Sequence, residues 1–394
     1  MVNKQYYNYG TSRSVIREIF EFGLKLRKEI GAENVYDFSL GNPSVASPDS
    51  VNSEVRKLIS EKSSVALHGY TSAQGDYTVR KKISDYITRT YGAKASENLI
   101  YMTCGAAAAL TITLGALYED GDNCVVIQPY FPEYKVWANT AGYTVTEVSP
   151  DYTSFQINFE ELKTAITAKT KCVIINSPNN PSGAVISKEN IVKLAKLLEE
   201  RQAEFKHPIF LIADEPYREL VYGAEVAYVP NFYKNTVVCY AFSKSLSIPG
   251  ERIGYIAVSP DTNGAGEIYA AVCGAGRALG YVCAPSMWQF VAAENLGKTA
   301  DISIYRTNRD LLLSTLTASG YECVKPDGTF YLFIKALEKD AIAFCERAKK
   351  YNLLLVPGDC FGAPGYVRIA YCVSTETVKG SLTAFTALSA EYRA

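Results

Sequence analysis

Apolar positions Val15, Ile19, Phe22 and Leu26 recur at helical spacing, predicting an amphipathic helix from Ser12 to Ile30 with Gly31 as its stop. A short extended stretch, Tyr36 to Leu40, then runs into Gly41-Asn42-Pro43. Helical spacing returns over Asp49–Glu61 and Asp76–Tyr91, the latter closed by Gly92. Beyond that the period switches back and forth. Short continuous apolar runs at Ile100–Thr103, Cys124–Gln128, Tyr143–Val148, Cys172–Asn176, Ile209–Ala213, Val237–Ala241 and Tyr255–Val258 read as strands. Helical patterns sit between most of them, at Ala106–Tyr118, Glu133–Ala141, Phe159–Ile166 and Lys188–Arg201. Asn158 and Glu161 form a capping-box-like start for the third.

Strands that are apolar throughout and alternate with helices predict an α/β fold with a mostly parallel seven-stranded sheet covered on both faces. The pattern then changes. Helices near Ile268–Leu279, Met287–Leu296 and Ile302–Ser319 precede strands at Phe330–Ile334, Leu353–Val356 and Val367–Cys372, and a last helix runs from Thr375 to Tyr392. These elements predict a smaller α+β domain that the N-terminal helix joins. The expected division is a large domain over 46–284 and a small one built from 1–45 and 285–394.

Length and charge narrow the function. The 394 residues suffice for two domains, and 40 Lys plus Arg nearly cancel 41 Asp plus Glu, which argues against a nucleic-acid or membrane-surface binder. No apolar run is long enough to span a bilayer, and Met1 to Gly10 lacks the apolar core of a signal peptide. The ten cysteines are scattered without a C-x-x-C pair, and Cys172, Cys239 and Cys372 sit inside apolar runs, so a reducing, cytoplasmic setting is expected. With only His68 and His207, a histidine-built metal site or a Ser-His-Asp triad is nearly excluded, and no metal is expected.

Chemistry-bearing residues fall at the ends of the apolar runs. Cys104-Gly105-Ala106-Ala107 ends a strand, turns at glycine and opens a helix, a setting for a phosphate or simply for close packing. Asn176 to Gly183 is a loop rich in proline and asparagine at the carboxyl edge of the sheet, where α/β folds bind ligands, with Asn180 offering an amide. Asp214 ends its strand, where a carboxylate can keep a pyridine nitrogen protonated; Tyr217 follows three residues on. Lys244 lies in a confined turn beside Pro249 and Gly250, and Arg252 supplies a planar fork for phosphate. Arg368 stands among apolar neighbours in an alternating strand and needs an anion, either structural or a substrate carboxylate.

Asn180-Pro181, Asp214-x-x-Tyr217, Ser243-Lys244, Glu251-Arg252 and Val367-Arg368 occur in the order seen in class I/II aminotransferases. Over nearly its whole length the chain resembles that pyridoxal-phosphate-dependent, fold type I family, closest to its aspartate aminotransferase-like branch. The resemblance implies that Lys244 forms the Schiff base with the cofactor and carries the proton during catalysis. Asp214 would pair with the pyridine nitrogen, Asn180 and Tyr217 would bind the ring hydroxyl, and Phe131 would stack on the ring. Gly105, Ala106, Ala107, Ser243 and Arg252 would surround the phosphate. Arg368 would clamp the substrate α-carboxylate with Gly41, Asn42 and Asn180 nearby. Tyr70 matches a tyrosine that reaches the phosphate of a partner subunit, which implies a homodimer with shared active sites.

Two positions depart from the family. A hydroxyl or amide side chain is frequent where this chain has Ala107, and a serine where it has Ala241. The expected reaction moves an amino group between an L-amino acid, aspartate- or glutamate-like compounds among them, and a 2-oxo acid. A β-eliminating C–S lyase needs the same Lys244, Asp214 and Arg368 and is the rival. Gly274-Ala275-Gly276 lacks the third glycine of a nicotinamide-binding turn. Arg277 stands as a side-chain carboxylate reader or as a plain helix-surface charge.

Overall fold

The computed structural model of the chain describes residues 1–11 and 14–393. Seven strands form the central sheet: β1 Ile100–Thr103, β2 Asn123–Ile127, β3 Thr144–Val148, β4 Thr170–Asn176, β5 Phe210–Asp214, β6 Thr236–Ala241 and β7 Gly254–Val258. Their spatial order is β1-β7-β6-β5-β4-β2-β3. Only β7 runs antiparallel to its neighbours. The remaining pairs are parallel. Because β7 lies between β1 and β6, those two point the same way, and the carboxyl ends of β1, β2, β4, β5 and β6 share one edge with the start of β7.

Burial on both faces explains why these strands read as unbroken apolar runs. Residues of β5, β6 and β7 are buried throughout. One core, with Val173, Leu211, Val238 and Ile83, fills one face, and a second, with Leu110, Ile112, Ile174 and Ile212, fills the other. The helix Ala106–Leu117 is apolar all round and sits over the sheet, which accounts for its weak amphipathic pattern.

A second sheet orders β8 Tyr331–Lys335, β10 Tyr366–Ala370 and β9 Val356–Pro357, with β10 in the middle. The run expected as one strand over Leu353–Val356 is broken at Leu355. Leu353–Leu354 pairs in parallel with Tyr36–Asp37, whereas β9 pairs with β10. The helices Ser303–Ala318 and Thr375–Ala390 cover this sheet with a core of Leu312, Leu316, Phe385 and Leu388. The helix Ser286–Ala293 packs instead with helices of the large layer, and its Val291, Ala292 and Ala293 join the central-sheet core.

Most helical expectations hold within a few residues. The first amphipathic pattern forms Val15–Ile30; Ser12, where the sequence starts it, lies outside the described residues. At Phe159–Ala165 the Asn158 side chain accepts from the Glu161 N–H at 3.3 Å, while the Glu161 carboxylate accepts from the Ser149 N–H at 2.9 Å, so half of the capping box is diverted. Three helices are additions: Lys4–Thr11, Ser64–His68 and Ala341–Ala348. Among the described residues no helix is long and apolar enough to cross a membrane.

Candidate active site

The parallel strands β4, β5 and β6 bring their functional residues to the shared edge, where each apolar body ends in polar residues at the cleft. Asp214 closes β5 and is paired in register with Asn176 at the end of β4. The Asn176 side chain ties the two ends together, donating through Nδ2 to the Asp214 backbone oxygen at 2.9 Å. Its Oδ1 accepts from the Asn180 N–H at 2.7 Å, which fixes the loop that carries Asn180. Behind Asp214, Glu215 accepts from Arg218 Nε at 2.6 Å, and the Arg218 guanidinium lies 5.0 and 5.1 Å from the rings of Tyr91 and Tyr228. This buried pair holds the turn from Asp214 to Tyr217.

β6 ends at Ala241 and leads through Ser243 to Lys244, whose Nζ donates to the Gly41 carbonyl at 2.8 Å. Burial lowers the lysine to about 8; the Cys372 side pulls it back up, and the cations Arg368 and Arg252 add to the lowering. Arg252 has φ of 52°, a left-handed conformation unusual for a side-chain-bearing residue. That twist turns its guanidinium back toward β1, where Nη2 donates to the Cys104 carbonyl at 3.3 Å and Nη1 to the Pro249 carbonyl at 2.9 Å. Gly105 has φ of 84°, and a Cβ there would stand 2.7 Å from Arg252 Nη2, so glycine is required beside the arginine.

Arg368 arrives from the other sheet. It is 1% exposed; Nη1 donates to Asn180 Oδ1 at 3.2 Å and Nη2 to the Ser39 carbonyl at 2.5 Å, while Nε has no partner. The rings of Tyr331 and Phe361 lie 4.7 and 4.8 Å from its guanidinium. No carboxylate of the chain pairs with it among the described residues, so its charge faces a cleft rather than a structural acid.

The cleft has a volume of about 360 Å³ and is lined by residues of both sheets. Of the residues expected from the sequence, Gly41, Ala106, Ala107, Phe131, Asn180, Asp214, Tyr217, Ser243, Lys244, Arg252 and Arg368 line it. Gly105 lies just behind Arg252 rather than on the wall. Asn42 is exposed and not on the wall of this cleft. Tyr70 is 88% exposed and is not on the wall of this cleft. Arg277 sits in the last turn of the exposed end of helix Ala265–Ala278, so of its two readings the geometry matches the surface charge. Tyr217 donates to, or accepts from, the hydroxyl of Tyr331 at 3.1 Å.

Two tyrosines were missed in the sequence. Tyr134, on the helix Glu133–Ala141, donates its hydroxyl to Asp214 Oδ2. Tyr331 lines the cleft from β8. Tyr134 sits one turn after Phe131 in a helix that also places Trp137 against the same cleft, with Phe131 and Trp137 rings 5.9 Å apart edge to face.

A pyridine-type cofactor with a phosphate fits these residues. Asp214 is buried; burial raises its carboxyl to about 7 against the opposing Tyr134 hydrogen bond, Glu215 raises it further, and Oδ1 has no partner. A protonated ring nitrogen would satisfy that atom and return the carboxyl to its charged form. Ala106 and Ala107 in the first turn of Ala106–Leu117, Ser243 and Arg252 also line the cleft, with Arg252 beside Gly105, a donor set suited to a phosphate.

Comparison with known proteins agrees with this geometry. The family described as aminotransferase class I and II matches residues 33–385. The aspartate aminotransferase of Thermotoga maritima is 30% identical over 357 residues, covering 89% of this chain and 90% of its own length. The crystal structure of an amino transferase from Eubacterium rectale is 53% identical, covers 100% of both chains and has a TM-score of 0.98. That of the Thermus thermophilus aspartate aminotransferase with maleate is 26% identical, covers 98% of this chain and 99% of its own, and has a TM-score of 0.87.

Proposed function

We propose, from the premise that the chain belongs to the class I and II aminotransferases and is a pyridoxal-phosphate-dependent transaminase, that it moves an amino group from an L-amino acid to a 2-oxo acid by way of Lys244. The observation that carries the reading is a single cleft holding a lysine lowered to about 8, a buried carboxylate with an unpartnered oxygen, and an arginine with no acidic partner.

The bound cofactor supplies an aldehyde for the amine and a ring that takes up the electron pair left when a Cα–H bond breaks. Everything else is done by the chain. Burial lowers Lys244 to about 8, so a substantial share of it is neutral amine near that pH, and it is placed to take and return the Cα proton. Asp214 holds the ring nitrogen protonated, and the Tyr134 hydroxyl holds Asp214. Asn180, its Oδ1 occupied by Arg368, has its amide N–H groups left and with the Tyr217 hydroxyl would hold the ring oxygen. Arg368 fixes the substrate α-carboxylate with its planar fork, and the flanking rings keep water from its faces. Phe131, on the cleft wall, would stack on the ring. Without side-chain donors at Ala107 and Ala241, phosphate binding would rest on backbone N–H groups, Ser243, Arg252 and the Tyr70 of a second copy.

The remaining parts of the reading are of the same kind. Tyr70 and the neighbouring Val65, 88% and 83% exposed, suit a surface that a second copy covers, with Tyr70 completing the partner's phosphate site. Ten free cysteines accord with a cytoplasmic setting. The two-domain division is retained, with its second boundary moved past the helix Ser286–Ala293, because that helix packs with the large layer.

The test is a set of half-reactions. Protein loaded with pyridoxal phosphate is mixed with single L-amino acids in the absence of oxo acid, and absorbance and 2-oxo acid release are followed. Aspartate and glutamate head the panel, since one relative was crystallised with the dicarboxylate maleate. The expected result is one equivalent of oxo acid per site, reversed by adding a second oxo acid. Continuous release of pyruvate and ammonia from cystathionine, without any oxo acid acceptor, would replace the transaminase by the lyase.

A further inference from the structure

Tyr331 stands where the two halves of the cleft meet, as the Arg368–Asn180 hydrogen bond also does. It enters from β8, is 2% exposed, and lines the cleft. Its hydroxyl is 3.1 Å from that of Tyr217, which belongs to the central sheet's edge. Its ring lies 4.7 Å from the Arg368 guanidinium, which belongs to the second sheet. It also crowds the chain that receives Lys244: a Cβ on Gly41 would come 1.9 Å from the Tyr331 hydroxyl, so that glycine exists to admit it.

Proton counting gives the contact a direction. Each tyrosine hydroxyl has one proton to donate and lone pairs that accept. If Tyr217 spends its proton on the oxygen of a bound ring, the donor between the two tyrosines has to be Tyr331. A hydroxyl that accepts one hydrogen bond donates a stronger one. We propose that Tyr331 is a positioning residue that sets the strength and direction of the Tyr217 hydroxyl while its ring holds Arg368 for the substrate carboxylate. This rests on the transaminase reading of the cleft and adds to it a residue that couples the cofactor side to the substrate side.

The groups facing the pair are few. Arg368 from β10, Cys372 just beyond it and Asp214 from β5 act on Tyr331 or Tyr217, and Lys244 reaches the Gly41 carbonyl alongside. Burial keeps both phenols protonated, Tyr331 at about 12 and Tyr217 well above its ordinary value, so both act as donors across the working range.

The readout is the pH midpoint of the bound cofactor's absorbance change. A donor at the ring oxygen matters most when no neighbouring proton shares that oxygen's charge, so weakening the donor favours the protonated form and raises the midpoint. Tyr331→Phe keeps the ring over Arg368 and removes only the hydroxyl. The expected rise is roughly 0.5–1 pH unit, the size of one neutral hydrogen bond. Tyr217→Phe is expected to raise it further, and the double variant to match Tyr217→Phe alone, because Tyr331 acts through Tyr217. Tyr331→Leu, which also removes the ring, is expected to raise the substrate KM by about 2- to 30-fold, an effect Tyr331→Phe lacks. An unchanged midpoint in Tyr331→Phe, or shifts that simply add in the double variant, would overturn the proposal. A wild-type protein with no cofactor absorbance would overturn the transaminase reading beneath it, and the two failures are thus told apart.

Discussion

Replacing Lys244 with alanine lowers turnover by roughly 10⁴-fold or more, the upper end of what one positioned base contributes, because covalent attachment and proton transfer are lost together. The size of the loss follows from the site's construction. Among the described residues Lys244 is the only amine on the cleft wall, and the guanidinium groups of Arg368 and Arg252 are donors without an acceptor site for the Cα proton. The variant is expected to fold. Lys244 has no acidic partner among the described residues; its amine meets the Gly41 carbonyl and lies 5.5 Å from the Phe330 ring, and removing a buried amine lowered to about 8 relieves a desolvation cost. Steady-state rates and a thermal melt of the same preparation check both halves. Near wild-type turnover would take the catalytic role from Lys244.

Asp214→Asn carries the second large effect. Asp214 in this chain is buried, raised to about 7 and short of one hydrogen bond, which is a costly arrangement unless a cation completes it. The sign of its pH dependence follows from that raised value. A carboxyl whose folded value lies above its unfolded one destabilises the fold as pH rises from the unfolded value through about 7, and a protonated ring nitrogen reverses this by favouring the charged form. Asparagine keeps the shape and the bond from Tyr134 but cannot carry the charge. Breaking a buried ion pair costs about 3–5 kcal/mol. As a barrier this is roughly a hundred- to several-thousand-fold in rate. The measurement is single-turnover oxo acid release at saturating cofactor. A decrease of less than about tenfold would mean that Asp214 is a structural acid.

Most of the framework could be read directly from apolar spacing. The strands β5, β6 and β7 are buried along their whole length, so their bodies are almost entirely apolar and their ends show as the first charged or polar residues. Asp214 and Lys244 were visible for that reason: each is the first charge after such a run. Relations between distant segments were not visible. Tyr134 reaches Asp214 across 80 residues of chain, and nothing in the Glu133–Ala141 pattern separates it from an ordinary core tyrosine. Tyr331 looked like one of several apolar positions in its strand, because its hydroxyl finds a partner only when the two sheets meet.

The local misses have local causes. Lys4–Thr11 buries no residue and therefore has no apolar stripe to detect. Ala341–Ala348 had a readable start, since the Asp340 side chain accepts from the Ile342 and Ala343 N–H groups and apolar residues follow at helical spacing. The break at Leu355 divides one apolar run between two sheets, a choice that spacing alone does not encode. Arg277, open in the sequence between a carboxylate reader and a helix-surface charge, lies at an exposed helix end.

The central claim, that Lys244 is the amine joined to pyridoxal phosphate, is tested most directly by chemical trapping. The cofactor-loaded protein is treated with borohydride, which reduces a carbon–nitrogen double bond to a stable single bond, and the digested peptides are mapped by mass spectrometry. The account predicts one phosphopyridoxyl group per chain, on Lys244, and none when an amino acid has first converted the cofactor to its amine form. Stoichiometric labelling of any other lysine, with Lys244 unmodified, would contradict it.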